Sequence, residues 1–345
     1  MARKKLMRIL ISLTAIGLIL CYQPSKGNTT YDVEPFLGRW ALFLPGGAGW
    51  LEVRQEKGYL DGDILWYGGS VTPVSSIVTK NDTLIITRSR NIIRKRDADG
   101  KPVRTQTLTT WIECVVLNGE LTGKVFIPNR TGQFSVTEFT GRRIPPLPPA
   151  PDLSRIKYSE PVILFNGKDL TGWTLTNTNQ TNGFKVENGV LANDPVQEAG
   201  KPHIRYGNLR TVDEFEDFNL KIEVNIPRGS NSGIYLRGIY EVQVLDSYKK
   251  SLDSHNMGAI YSRITPSLSA EKPAGEWQSL DITLCERHVT VILNGKMIID
   301  NQPLLGVTGG ALTADEFLPG PIYLQGDHGK VSYQNFVLRP ILKKD

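Results

Sequence analysis

Three short runs in the C-terminal half of this chain put chemistry-bearing side chains at every second position. They are Gly233-Ile-Tyr-Leu-Arg237, Tyr240-Glu-Val-Gln-Val-Leu-Asp246 and Pro321-Ile-Tyr-Leu-Gln-Gly-Asp-His-Gly329. Successive side chains of a strand point to opposite faces. Ile234, Leu236, Val242 and Val244 are therefore expected to face a core, with Tyr235, Arg237, Glu241 and Gln243 sharing the other face if the first two runs pair. The third run adds Tyr323 and Gln325 outward, with Asp327 and His328 at the strand end. Aromatic rings that stack and planar groups that hydrogen-bond hydroxyls are what a sugar-binding sheet needs. Glu241 and His328 are also a base and an acid, and Arg237 a fixed positive charge, so the same face could move protons.

Such a face needs strands to carry it, and the sequence supplies them. Phe218 to Ile226, Gly233 to Leu236, Tyr240 to Leu245, Gly258 to Tyr261, Trp277 to Cys285, His288 to Leu293, Lys296 to Asp300 and Ile322 to Gln325 are all short and alternating. Asn294-Gly295 is a type I′ hairpin signal. No long amphipathic helix interrupts them, so residues 155–345 predict an all-β domain, a two-sheet sandwich or jelly roll. Upstream, residues 28–143 predict a small antiparallel β meander or barrel. Its expected strands are Trp40–Leu44, Trp50–Gln55, Tyr59–Trp66, Thr83–Arg88, Thr109–Leu117, Leu121–Ile127 and Gln133–Phe139, with turns at Asn81-Asp82, Asp99-Gly100 and Asn118-Gly119. The segments Gly58–Trp66 and Gly119–Ile127 look alike and suggest two related hairpins. Residues 144–154 are proline-rich and cannot feed a sheet ladder, which marks a linker across which few contacts are expected.

With 345 residues the chain is long enough for two cores. Its formal charge of +5 is partly carried by Arg3, Lys4, Lys5 and Arg8, and no basic stripe or aromatic-basic repeat points to nucleic acid. Residues 1–27 read as an export signal, a basic start followed by an apolar core short for a bilayer span, so the protein is expected in the periplasm or the outer-membrane-associated envelope. Leu18-Ile-Leu-Cys21 also resembles a lipoprotein box, so Cys21 is a candidate lipid anchor. Cys114 and Cys285 remain after cleavage, one per domain, and read as buried free thiols. All four histidines fall in the C-terminal domain, and the N-terminal one offers no catalytic constellation.

Six segments together resemble the 3-keto-disaccharide hydrolase family over residues 159 to 341. They are Phe165–Trp173, Asn231–Arg237, Tyr240–Asp246, Gly258–Tyr261, Pro273–Gln278 and Gly320–Gln325. The resemblance implies a concanavalin-like jelly roll, usually on exported bacterial proteins, acting on 3-keto-glycosides made by a partner sugar 3-oxidoreductase. The sequence departs from the family pattern at Gly326, which separates Gln325 from Asp327 and His328. For such substrates the C3 ketone acidifies the C2 proton, so a base can remove it and expel the C1 substituent, after which water adds back. Glu241 and His328 are candidates for base and acid, and Arg237 for the enolate charge. Tyr235, Gln243, Gln325 and Asn231 would position hydroxyls, and Asp246 could join them or bind a divalent metal with Glu241, although no ligand spacing is diagnostic.

Plainer readings stand beside these. Glu241 and Arg237 could form a cross-strand ion pair, His328 could only brace a turn, His255 could be a solvated loop histidine, and Trp173 and Trp277 could be packing. A non-catalytic, lectin-like carbohydrate-binding module is the alternative function, because a fold does not decide activity. An ordinary glycosidase would need a second acid opposite Glu241, with Asp246 or Glu223 as candidates.

Overall fold

The computed structural model describes residues 32–342. The expected export signal and Cys21 lie outside the described residues. Among the described residues no helix is long and apolar enough to cross a membrane. Among the described residues the helical turns are two short 3-10 segments, Glu34–Phe36 and Leu153–Arg155, the second capped by the Asp152 carboxylate.

The N-terminal half forms one antiparallel sheet of nine strands. In spatial order they are Thr72–Pro73, Tyr59–Trp66, Gly47–Glu56, Gly38–Leu44, Phe134–Arg143, Glu120–Pro128, Pro102–Leu117, Thr83–Arg96 and Ser76–Lys80. Its core contains Trp40, Leu42, Ile64, Leu84, Ile112 and Phe139, the inward positions of alternating strands. The look-alike segments are the second strands of two hairpins, each with a mid-strand glycine, Gly62 and Gly123, where an added Cβ would strike the neighbouring strand's backbone or side chains. One expected boundary was too short. Thr83–Arg96 and Pro102–Leu117 pair as a ribbon as far as Arg96 opposite Pro102, whereas the alternation predicts an end at Arg88 and a start at Thr109. The ribbon's outer part is exposed on both faces, so it carries no apolar period to read. Asp97 accepts the amides of Asp99 and Lys101 and closes the turn that Asp99-Gly100 predicts.

The C-terminal half is a jelly-roll sandwich. One sheet runs Phe184–Glu187, Val190–Asn193, Val331–Pro340, Phe218–Asn225, Trp277–Cys285, His288–Leu293, Lys296–Pro303, with Val162–Ile163 also on Val331–Pro340. The facing sheet runs Trp173–Leu175, Leu209–Thr211, Tyr323–Leu324, Asn231–Leu236, Tyr240–Leu245. Leu220, Ile222, Ile282 and Leu338 of the first meet Ile234, Leu236, Val242 and Leu324 of the second, all essentially inaccessible. Each such side chain contributes roughly 1.5–3 kcal/mol by leaving water. Asn294 and Gly295 both have positive φ, 51° and 77°, as a type I′ turn requires. Cys114 and Cys285 are buried, and among the described residues no disulfide joins them.

The two halves meet over a broad seam, contrary to the expectation of few crossing contacts. Ala41, Ala48, Trp50 and Leu65 of the N-terminal sheet belong to the same apolar cluster as the sandwich core. Arg263 lies over the Trp50 ring at 4.1 Å, and Arg142 pairs with Asp315 at 2.7 Å. These contacts come from the strands Gly38–Leu44, Gly47–Glu56, Tyr59–Trp66 and Phe134–Arg143, and the proline-rich stretch adds Ile144 to the same cluster and the Pro151 carbonyl as an acceptor for Asn301.

Candidate active site

The hairpin of Asn231–Leu236 and Tyr240–Leu245 sets the site. Its register puts Tyr235 opposite Glu241 and Gly233 opposite Gln243, and Tyr323 pairs with Tyr235 on the other side. Tyr323, Tyr235 and Glu241 therefore form one row across three strands, on the sheet face away from Ile234, Val242 and Leu324. The Tyr235 and Tyr323 rings stack at 3.9 Å with 9° between planes. Tyr235 Oη lies 2.8 Å from Glu241 Oε2 and 2.7 Å from the Gly309 carbonyl oxygen. Glu241 is also held through its amide, which donates to Thr308 Oγ1 at 2.8 Å. Its side chain lies across Gly233, where any Cβ would collide with the carboxylate.

Burial pushes the Glu241 carboxyl up to about 7, against smaller downward pulls from the Tyr235 hydrogen bond and from His328; Asp327 adds to the rise. The Tyr235 hydroxyl opposes that direction when it donates to the carboxylate, and it has a second acceptor in the Gly309 carbonyl. Tyr235 has one proton for two acceptors, so a protonated Glu241 donating to Tyr235, with Tyr235 donating to Gly309, satisfies every group. An ionised Glu241 competes with the Gly309 carbonyl for that proton. His328 bonds Asp327 at 2.6 Å, and this bond raises the imidazole above its ordinary range, outweighing the downward pull of burial, while Asp327 is lowered. The site thus holds a buried carboxyl that titrates near neutrality within electrostatic reach of a histidine biased toward its cation.

Gln243 donates to Asn231 Oδ1 at 2.7 Å, and the Gln325 amide donates to the Gly233 carbonyl at 3.0 Å. The side-chain oxygens of Gln243 and Gln325 are buried without a protein partner, and each can accept a hydroxyl. Gly326, the departure from the family pattern, presses against the Gly207 backbone where a Cβ has no room, and its amide donates to Asn208. The strand end is thereby fixed, and Asp327 and His328 follow it within electrostatic reach of Glu241.

Two expected members are elsewhere. Arg237 lies in the type I′ turn with Gly238, at φ 53° and 67°, beyond the end of its strand at Leu236, so alternation no longer governs its direction. Its guanidinium donates to the Leu318 carbonyl and, at 2.8 Å, to that of Glu316, whose carboxylate takes the Tyr240 hydroxyl. Tyr240 faces opposite to Glu241, so Arg237 is neither its ion-pair partner nor a charge for the same substrate. It lines a cavity of about 980 Å³ under the proline-rich segment, with Asp217 and Arg287. Asp246 lies one residue past the end of its strand at Leu245, and its carboxylate accepts the Gly229 amide. The pairing of Glu241 with Asp246 for a metal is therefore not formed, and among the described residues no group of three His, Cys, Asp or Glu converges as metal ligands. Glu223 is on the outside of the other sheet, bonded to Gln334 and Asn335. Neither candidate second acid faces Glu241.

The sequence reading missed Thr308, Gly309 and Gly310, which cap the tyrosine pair. A Cβ on Gly310 would lie 2.7 Å from Tyr235 Oη. The Gly-Gly pair was the available signal, a backbone able to approach a side chain closely. His255 is not merely solvated, since it bonds Ser70 and Asp253. Trp173 is core, its indole donating to the Leu164 carbonyl.

The sandwich and its polar face fit the carbohydrate-active hydrolase class that the family match supports. Residues 160–339, more than half of the chain, match the 3-keto-alpha-glucoside-1,2-lyase-like domain, and the chain belongs to that family. Among solved structures it resembles two proteins described as candidate glycosyl hydrolases from Parabacteroides distasonis ATCC 8503. One is 28% identical over 62% of this chain and 97% of its own, with a TM-score of 0.44. The other is 24% identical over 52% and 92%, with a TM-score of 0.43. The carbohydrate binding module CBM66 from Bacillus subtilis is 13% identical over 48% and 93%, with a TM-score of 0.31. Curated proteins gave no match.

Proposed function

We propose that this protein cleaves 3-keto-glycosides by elimination and rehydration. The observation that carries the reading is the buried Glu241, raised toward neutrality and hydrogen-bonded to Tyr235, within electrostatic reach of a histidine biased toward its cation. Glu241 takes the proton from C2, and the electron pair passes into the C3 ketone as an enolate. The Tyr323 hydroxyl, which makes a long 3.4 Å bond to the Gly310 carbonyl, would turn to donate to that oxygen in place of Arg237. Collapse of the enolate breaks the C1–O bond, and His328 gives its proton to the departing oxygen. Water then adds across C1=C2, its proton going to C2 and its hydroxide to C1, which releases the free 3-keto sugar, and solvent carries the proton held by Glu241 back to His328. A base near the working pH suits proton abstraction beside a ketone. Absence of a second carboxylate from the candidates Asp246 and Glu223 weighs against an ordinary paired-acid glycosidase.

The ketone must come from an oxidoreductase acting on C3 of the sugar, and the N-terminal sequence suits an exported protein that meets such a substrate in the envelope, with Cys21 as the candidate anchor. The test is incubation with 3-keto-trehalose in deuterium oxide. Release of 3-keto-glucose labelled at C2 is expected. Saturable sugar binding with no turnover of any 3-keto-glycoside would instead mark a carbohydrate-binding module, and release without C2 label would remove the elimination.

A further inference from the structure

The loop after the strand Tyr59–Trp66 carries the N-terminal sheet to the edge of the site. The Tyr67 carbonyl accepts the Gly310 amide at 3.1 Å, and Gly69 packs so closely on Gly309 that neither a Cβ nor any larger group fits between them. Gly309 is the residue whose carbonyl meets Tyr235. One residue further, Ser70 Oγ lies 2.8 Å from His255 Nε2, and His255 Nδ1 lies 2.5 Å from Asp253. The Val71 amide donates to Ser262 Oγ at 2.9 Å. The His255 ring stands edge-on to Tyr261 at 4.7 Å, and the Tyr261 amide donates to the Glu241 carbonyl at 3.0 Å. Ser70, His255 and Tyr261 are each partly exposed. A continuous rim of hydroxyl, imidazole and phenol therefore runs from Glu241 across the seam between the halves.

We propose that this seam is a second sugar-binding subsite, in which Ser70 of the N-terminal half, His255 and Tyr261 hold the leaving sugar of a disaccharide. The inference rests on the reading that Glu241 works at the first sugar. A disaccharide bound with C2 over Glu241 must extend along the sheet edge, and the rim offers what a second pyranose needs. Tyr261 supplies an aromatic surface, and the Ser70 and His255 pair supplies a donor and an acceptor on adjacent atoms. Asp253 fixes the imidazole with its proton on Nδ1, which leaves Nε2 to accept from Ser70 or from a sugar hydroxyl. This gives the N-terminal half a part in recognition, since without it the rim lacks Ser70 and the support beneath Gly309.

The experiment compares the full chain with its Ser70→Ala, His255→Ala and His255→Gln variants on 3-keto-trehalose and on methyl 3-keto-glucoside, with thermal melting recorded for each. The ratio of kcat/KM for the disaccharide to that for the methyl glycoside should fall about tenfold, the effect of one lost hydrogen bond. The change should appear in KM more than in kcat, with His255→Gln retaining more of the ratio than His255→Ala. An unchanged ratio, with both substrates weakened alike or not at all, overturns the subsite and leaves Ser70 and His255 as a structural bolt. If the parent turns over neither substrate, the elimination fails, and calorimetric titration with trehalose and methyl glucoside decides the subsite on its own. Weakening confined to trehalose in the variants then supports it, and equal weakening, or no binding by the parent, overturns it.

Discussion

Tyr235 Oη sits 2.8 Å from Glu241 Oε2 and 2.7 Å from the Gly309 carbonyl, one hydroxyl between two acceptors. The arrangement ties the ionisation of Glu241 to the placement of a backbone oxygen that the N-terminal half supports from behind. It also makes Tyr235 a positioning residue whose removal has a predictable sign.

Tyr235→Phe deletes a bond that favours the ionised carboxyl, so the Glu241 pKa should rise further above about 7. The acid limb of the kcat/KM profile should move to higher pH, with turnover at the parent's optimum lower by roughly tenfold. A lower rate with an unmoved limb would mean that Tyr235 touches substrate and does not tune the base.

The parent's kcat/KM should rise with pH through about 7 as Glu241 ionises, then fall as His328, held above its ordinary range by Asp327, loses its proton. Stability should run the other way for Glu241. Its folded pKa lies above the unfolded value of 4.5, so the folded state binds more protons between these values. Stability is then greatest below the unfolded pKa and declines as pH rises toward about 7. Asp217 and Glu316 are also raised and add declines of the same sign, so the Glu241 share is read from the difference between the parent and Glu241→Gln. Melting curves at several pH values should show a shallower decline for the variant.

Much of this site was legible because a strand repeats every two residues. Tyr235, Glu241, Gln243, Tyr323 and Gln325 share a face as alternation requires, and the same rule buries Ile234, Val242 and Leu324. The rule fails one residue past a strand end. Arg237 looks in phase with Tyr235, yet its positive φ puts it in the turn and sends its guanidinium to the Glu316 side. Contacts distant in sequence were invisible for a different reason. Neither Gly69 on Gly309 nor Ser70 on His255 leaves any periodic trace, because a loop reaching a loop obeys no repeat.

Glu241→Gln keeps the shape of the side chain and removes the base. Turnover should fall by roughly 10²-fold or more with little change in sugar affinity. The amide can still donate to Tyr235, so the fold around it should stand, which a crystal structure or an unchanged melt at low pH would check. Turnover at the parent rate would take Glu241 out of the mechanism and leave His328 as the candidate base.

Gly233→Ala tests the geometry without touching any functional group. Gly233 has ordinary strand dihedrals, so alanine introduces no backbone strain, but its methyl would occupy space that the Glu241 carboxylate now fills. The carboxylate must swing away from Gly233, and the Tyr235 bond lengthens or breaks. A displacement near 1 Å at a reacting group costs on the order of 10²-fold in rate. The expected result is a large loss in kcat, a smaller change in KM, and an acid limb shifted in the same direction as in Tyr235→Phe. A Gly233→Ala enzyme with the parent's kcat and pH profile would show that the carboxylate has no need of this position, and the assignment of Glu241 as base would fall with it.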